Sequence, residues 1–581
     1  MIEKRWIISF LLICVIAVLA VSWEFLGGGV NTAVTPMSDP AIVGADVAWI
    51  LTSSCLVLLM TPGLSFFYGG MVGAKNTIST MLQSVICLGV VSILWVTVGF
   101  SLAFGDDLGG WGFIGSPSTY FMFDNVNQAV NSSLAPTIPL ILFAVFQLKF
   151  AIITPALITG SFAERVRFIS YLLFVCLFSL FIYTPLCHMI WHPQGLLKTH
   201  FKVLDFAGGT VVHMSAGFAA LAGALVLGKR TKSNHAPTNI PFVLLGTGML
   251  WFGWFGFNAG SALAANGTAA LAFATTNAAS AMAMLTWIFF DRINGRKVSA
   301  MGACIGAVVG LVAITPAAGF VTIPQAVFIG FISSIVSNVL VNWKKMKRMD
   351  DTLDVFACHG IGGIMGMILT AVFANYVDPA TGQKVGLIYG GYHDFFLSMQ
   401  ALLIVSVFTF GGAFVLYKFT NMIIPLRVTE ESEKIGLDIN YNKHYNHGIE
   451  IRFLDHISDP ELIIESFELF ILIKLINDVS VSELVSNFSN TAAVDVLSNV
   501  HFKVLAASAP EYPDVPADPD NPLVPDDPLV PDDPELPEDP LLPPIITQLI
   551  EYSKLLVGVP FDETLVTSYL QCVVWSEPAV T

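Results

Sequence analysis

The chain reads as an all-α integral membrane protein with eleven transmembrane helices, and three observations carry that reading. Of its 581 residues, 55% are hydrophobic and only 12% charged, with mean hydropathy +0.72, far more apolar than soluble domains are. The apolar residues fall in unbroken runs of about 20, the length that crosses a hydrocarbon core ~30 Å thick. Only helices and closed barrels satisfy their backbone in lipid, and runs this long favour helices. Basic residues alternate from loop to loop, as they do when connections lie on opposite sides of a membrane.

The elements follow in order. The opening "MIEKRWIISFLLICVIAVLA" places Lys4 and Arg5 before a short apolar core, the pattern of a signal peptide over 1–20, with an uncleaved anchor as the lesser option. Spans are expected at 46–69, 78–104, 139–161, 168–190, 207–228, 239–260, 267–290, 299–315, 319–342, 355–375 and 395–419. If the first enters from outside, the inside connections carry fifteen Lys and Arg and the outside ones only Lys198, Lys202 and Lys384. That asymmetry puts the N-terminus outside and the C-terminus inside. The first ten spans divide five plus five, and because five is odd the second set runs in the opposite sense. This is an inverted pseudo-repeat plus one helix, an architecture whose sites lie near the midplane.

Charge then divides the chain. Residues 450–581 hold 24 acidic against 4 basic residues, whereas 1–449 hold 19 against 23. The tail is therefore expected as a cytoplasmic extension, part helical and part disordered. It comprises a regulatory segment over 425–449, a small helical module over 450–508, a Pro/acidic linker over 509–545 and a short final segment over 546–581. The eight cysteines lie mostly inside apolar runs without CxxC spacing and read as small hydrophobes. No metal or cofactor motif appears, and neither a cofactor nor nucleic acid is called for.

Two histidines interrupt the apolar spans: His213 in "DFAGGTVVHMSAGFAALAGALVLGKR" and His359 in "DVFACHGIGGIMGMILTAVFA". In a soluble core a lone buried histidine is usually just hydrogen-bonded. In a membrane, ionisable groups are rare, costly and mostly face a cavity. His213 follows Asp205 by eight residues and His359 follows Asp354 by five, placing them about 12 Å and about 8 Å in from opposite faces. Gly208, Gly209, Gly217, Gly360, Gly362 and Gly363 let the two helices approach. Asp205 and Asp354 read first as N-caps, with Asp205 also lending negative potential to the outer mouth.

Near that mouth, Phe146 and Phe150 share a face at i, i+4, Trp191 ends the fourth span, and Phe257 and Ser261 end the sixth. Each alone reads as core or interface belt. Together they suit an aromatic cage for a small cation, with Ser261 accepting a hydrogen bond.

The strings "TPGLSFFYGGMVGAKN", "ITPALITGSFAERVRF", "DFAGGTVVHMSAGFAALAGALVLGKR", "GWFGFNAGSA" and "DVFACHG" resemble the ammonium transporter (Amt/Mep/Rh) superfamily, nearest its bacterial Amt-like branch, from about Asp46 to about Asn440. The resemblance implies a transporter domain over 46–420, a homotrimer and a bacterial inner-membrane location. It assigns Phe146, Phe150, Trp191 and Ser261, supported by Asp205, to an external ammonium-recruitment site. It makes Phe150 and Phe257 a phenyl gate, His213 and His359 paired pore histidines, and Val355 an apolar constriction. The implied substrate is ammonium or methylammonium, with ammonia as the passing species. Residues 425–448, "PLRVTEESEKIGLDINYNKHYNHG", resemble the family's regulatory tail, which implies a PII-class partner at the cytoplasmic face.

The physical expectation is that a dry pore penalises any ion that keeps its charge. Ammonium can shed a proton and pass as ammonia, and two imidazoles can relay that proton. Lys149, one residue from Phe150 and so about 100° round the helix, departs from the family's uncharged residue and reads as a helix or subunit contact. The alternative function is an ammonium sensor that conducts little and signals through its tail. A membrane enzyme has little support, because no G-x-S-x-G, HExxH or Cys/His/Asn constellation is present.

Overall fold

The computed structural model describes residues 4–22, 39–231, 237–343, 349–379 and 381–438. The chain divides into two units, Met1–Lys443 and His444–Thr581. The second unit, residues 439–443 of the tail, Lys232 and the lysines between 344 and 348 lie outside the described residues. The expected helical module, linker and final segment are among them.

An N-terminal helix α1 (Lys4–Ser22) coincides with the apolar run read as a signal peptide or anchor. Ten further helices are long and apolar enough to cross a membrane among the described residues: α2 (Gly44–Met71), α3 (Ala74–Phe104), α4 (Leu140–Ser161), α5 (Phe168–Thr199), α6 (Gly209–Leu227), α7 (Ile240–Gly260), α8 (Gly267–Ile293), α10 (Ile323–Asn342), α11 (Phe356–Phe373) and α12 (Tyr392–Ile423). The eighth expected span is the shorter apolar helix α9 (Ala300–Ile314). Ser299 caps it through Gly302 N at 3.0 Å, and the backbone turns away beyond Ile314 at Thr315-Pro316. A short antiparallel hairpin, β1 (Val130–Asn131) with β2 (Ala135–Pro139), leads into α4.

Packing sorts the helices into central and peripheral ones. In α4 and α6, 78% of the apolar window is buried, against 28% in α12, so α4 and α6 are the inner elements and α12 borders the bundle. Outward faces carry large apolar side chains such as Leu51, Phe181, Phe252, Phe289, Leu403 and Val407, as lipid contact requires. Two close approaches set the architecture. α2 lies along α7 because Gly246, Gly253, Gly256 and Gly260 present no side chain; a Cβ at Gly256 would fall 2.6 Å from Leu56 Cβ. α6 crosses α11 where Gly217 meets Gly360, backbone against backbone. The first helices of the two fives are thus paired with each other, and so are the last.

At the Arg165 end, ion pairs and the start of the tail close the bundle. Arg230 bonds Asp350 at 2.7 Å and Glu164 at 2.8 Å. The chain beyond α12 adds a short helix, α13 (Glu430–Ile435), and is tied down by Arg427 to Glu433 at 2.8 Å and to Leu227 O at 3.0 Å. Asp438 accepts from Ile78 N and Ser79 N at 2.9 and 2.7 Å, capping the start of α3.

Candidate functional site

Both histidines sit in π-helical turns: His213 in Gly209–Met214 at the head of α6, and His359 in Phe356–Gly360 at the head of α11. Such turns aim side chains differently from a regular helix and are frequent at functional sites. The two Nδ1 atoms lie 3.4 Å apart and the ring centroids 5.4 Å apart, so the imidazoles face each other. They are 1% and 4% exposed, and His213 Nε2 has no hydrogen-bond partner among the described residues. The contact follows from the glycine crossing, because Gly217 and Gly360 bring the backbones together immediately beside His359.

Asp205 builds the start of α6. Its Oδ1 accepts from Gly208 N and Gly209 N at 2.8 and 2.6 Å, and its Oδ2 from Thr210 N at 2.7 Å and from the Thr210 hydroxyl. Gly208 has φ +122°, and a Cβ there would meet Val212 Cγ2 at 2.8 Å. The carboxylate is buried and committed to these donors, while its own carbonyl accepts from Trp191 Nε1 at 3.1 Å. Asp205 therefore caps the helix as expected and also anchors the indole. At α11 the arrangement differs from the expected Asp354 cap: Asp351 Oδ2 accepts from Phe356 N at 2.7 Å, and Asp354 occupies a left-handed backbone position, φ +55°.

A file of rings leads from Trp191 to the histidines. Phe150 lies 5.8 Å from Trp191, 5.0 Å from Phe146 and 4.3 Å from Phe257. Phe257 lies 6.0 Å from His213. Phe146, Phe150 and Phe257 are buried, and Trp191 is half-buried. Ser261 is also half-buried and donates from Oγ to Phe257 O at 2.8 Å, leaving its oxygen lone pairs as acceptors. Its neighbour Gly260 abuts Phe146, where a Cβ would fall 3.0 Å from Cε2. Beyond His359, Val355 is buried beside Gly160 and Tyr68: a Cβ at Gly160 would lie 2.7 Å from Val355 Cγ2 and 2.8 Å from Tyr68 Cζ.

Two participants escaped the sequence reading. Trp254 stacks on His213, with centroids 5.4 Å apart and planes 20° apart, and its Nε1 donates to Thr315 Oγ1 at 2.9 Å. The i, i+3, i+7 stripe of Trp254, Phe257 and Ser261 was the available signal. Tyr68, whose hydroxyl donates to Leu157 O at 2.9 Å, carried none. Lys149 is half-buried on α4.

Residues 48–446 match the Ammonium Transporter Family model. An ammonium transporter of Aquifex aeolicus (strain VF5) is 42% identical over 412 residues, spanning 70% of this chain and 95% of that protein. Among solved structures, Saccharomyces cerevisiae Mep2 superimposes with a TM-score of 0.63 at 34% identity, covering 69% of this chain and 93% of its own. A sensor Amt protein does so with 0.62 at 29% identity, covering 68% and 98%. With a model match across most of its length and these relatives covered nearly end to end, the chain belongs to the ammonium transporter family.

Proposed function

We propose that the protein recruits ammonium at the cage of Phe146, Phe150, Trp191 and Ser261, strips one proton, and passes ammonia between Phe150 and Phe257 towards Val355. His213 and His359 relay the proton. The observation that carries this reading is the 3.4 Å contact between two buried imidazole nitrogens at the end of an aromatic file. Ring faces attract a cation, with Trp the strongest. The buried, apolar file beyond them offers no oxygen shell to replace hydration, so a potassium ion pays the full cost of desolvation. Ammonium avoids that cost by leaving its charge behind.

The paired rings need one proton between them to hydrogen-bond through Nδ1, since a donor must face an acceptor. One excess proton makes one of the rings an imidazolium, and a second excess proton would set two cations together in a buried site. One can therefore arrive only as another leaves, which is the requirement of a relay. In this reading the Trp191 end faces outward and the Arg165 end the cytoplasm of a bacterial inner-membrane homotrimer, with a PII-class protein meeting that cytoplasmic face. The charge asymmetry of the connections and the family likeness support it.

The second reading, a sensor with little conduction, is favoured by the likeness to the sensor Amt protein. Vesicles reconstituted with the full chain separate the two. Transport predicts labelled methylammonium uptake well above that of empty vesicles, and sensing predicts uptake at the empty-vesicle level despite ammonium binding.

A further inference from the structure

Asp351 stands in the connection between α10 and α11. It is 8% exposed, and while Oδ2 takes the Phe356 N–H, Oδ1 is buried with no hydrogen-bond partner among the described residues. The cation acting on it, Arg165, directs its hydrogen bonds elsewhere: Nη1 to Thr352 Oγ1 at 2.6 Å, and Nη2 to Ser161 O at 3.0 Å and Asp350 O at 2.7 Å. Arg230 is held by Asp350 and Glu164. Asp351 is also faced by Tyr68 from α2 and Cys358 from α11, with Asp350 and Asp354 in its own connection. Burial pushes its carboxyl up to about 6, against the pull of the Phe356 and Val355 N–H groups and of Arg165.

A helix cap needs one acceptor oxygen, and a second one buried without a donor is costly while ionised. Protonation removes the buried charge and with it the larger part of that cost. Asp351 is also placed to receive a proton. It bonds the backbone at Phe356, the first residue of the π-helical turn that carries His359 three residues later. Val355, beside Tyr68 and Gly160, lies between the carboxylate and the imidazoles in sequence.

We propose that Asp351 is the outlet of the proton relay: the N–H bond of the His359 imidazolium breaks, an O–H bond forms at Asp351 Oδ1, directly or through water, and that proton then passes to ammonia emerging at the Arg165 end, re-forming ammonium. The step moves one proton and needs no other reactant. It rests on the reading of His213 and His359 as a relay.

The test is ammonium-driven current in vesicles of the full chain, with pH varied on the Asp351 side. A carboxylate outlet accepts protons above its own pKa and not below it. Wild-type current should fall as that side is acidified through about 6. Asp351→Asn keeps an oxygen for Phe356 N but takes no proton; its current should drop by on the order of tenfold or more, with the inflection gone. Asp351→Glu should restore current with its inflection displaced, and this second variant decides the matter should the first not fold. Wild-type current and an unmoved inflection in both variants overturn the proposal. If they are silent while His359→Leu loses current, the histidine reading stands and this outlet falls; if His359→Leu is silent too, both fall.

Discussion

Asp205→Ala is expected to reduce ammonium-driven current in vesicles to near the background of empty vesicles, and to lower the thermal midpoint of the purified protein. The carboxylate serves the amides of Gly208, Gly209 and Thr210 and the Thr210 hydroxyl, all in a buried place. Removing it leaves these donors without an acceptor, at about 1–3 kcal/mol for each that finds no substitute. The π turn that aims His213 begins at Gly209, so the inner end of the aromatic file loses its anchor. The main-chain carbonyl of residue 205 that holds Trp191 remains and moves only as far as the backbone relaxes. Asp205→Asn should do less harm, because it keeps one acceptor oxygen while its amide opposes the remaining N–H groups. Near wild-type current in the alanine variant would contradict the anchoring role.

Gly217→Val is expected to cut the current at least as severely by a different route. A Cβ at this position would overlap the Gly360 backbone and sit 3.0 Å from the His359 carbonyl carbon. Backbone cannot yield by changing rotamer, so α6 and α11 must separate. Overpacking of this kind costs about 1–3 kcal/mol. The functional loss should exceed what that stability cost explains, because a shift of about 1 Å breaks the 3.4 Å imidazole contact. Current measured beside thermal stability checks this: a variant that folds but conducts normally would show that the crossing does not set the histidine geometry.

Much of this molecule was legible before folding was considered. The expected spans fall on the observed helices because apolar length is a nearly sufficient signal in lipid. The run at 299–315 becomes Ala300–Ile314, one residue shorter at each end, with Ser299 as its N-cap and Thr315 as its C-cap. The histidines were visible as chemistry out of place in apolar runs, whereas the phenyl pair and Trp191, each ordinary alone, drew their expected roles from the family resemblance. The contact between the histidines was not visible, because errors of a few residues in helix ends equal the distance in question. Glycines at 217 and 360 hinted at an approach without fixing its register, and π turns leave no composition signature. The cap of α11 passed to Asp351 because the left-handed turn at Asp354 brings the earlier carboxylate back under Phe356, which sequence spacing does not reveal. Trp254 went unread, because nothing in its run sets it apart from the other aromatics of that span.

The central claim is that charge is surrendered at the rings and carried on by His213 and His359. The most direct test is the current evoked by ammonium and by potassium in vesicles of wild type, His213→Leu and His359→Leu. A wild type that answers ammonium but not potassium, with either leucine variant losing the ammonium current, is the predicted result. Full ammonium current with potassium still excluded in both leucine variants would contradict it.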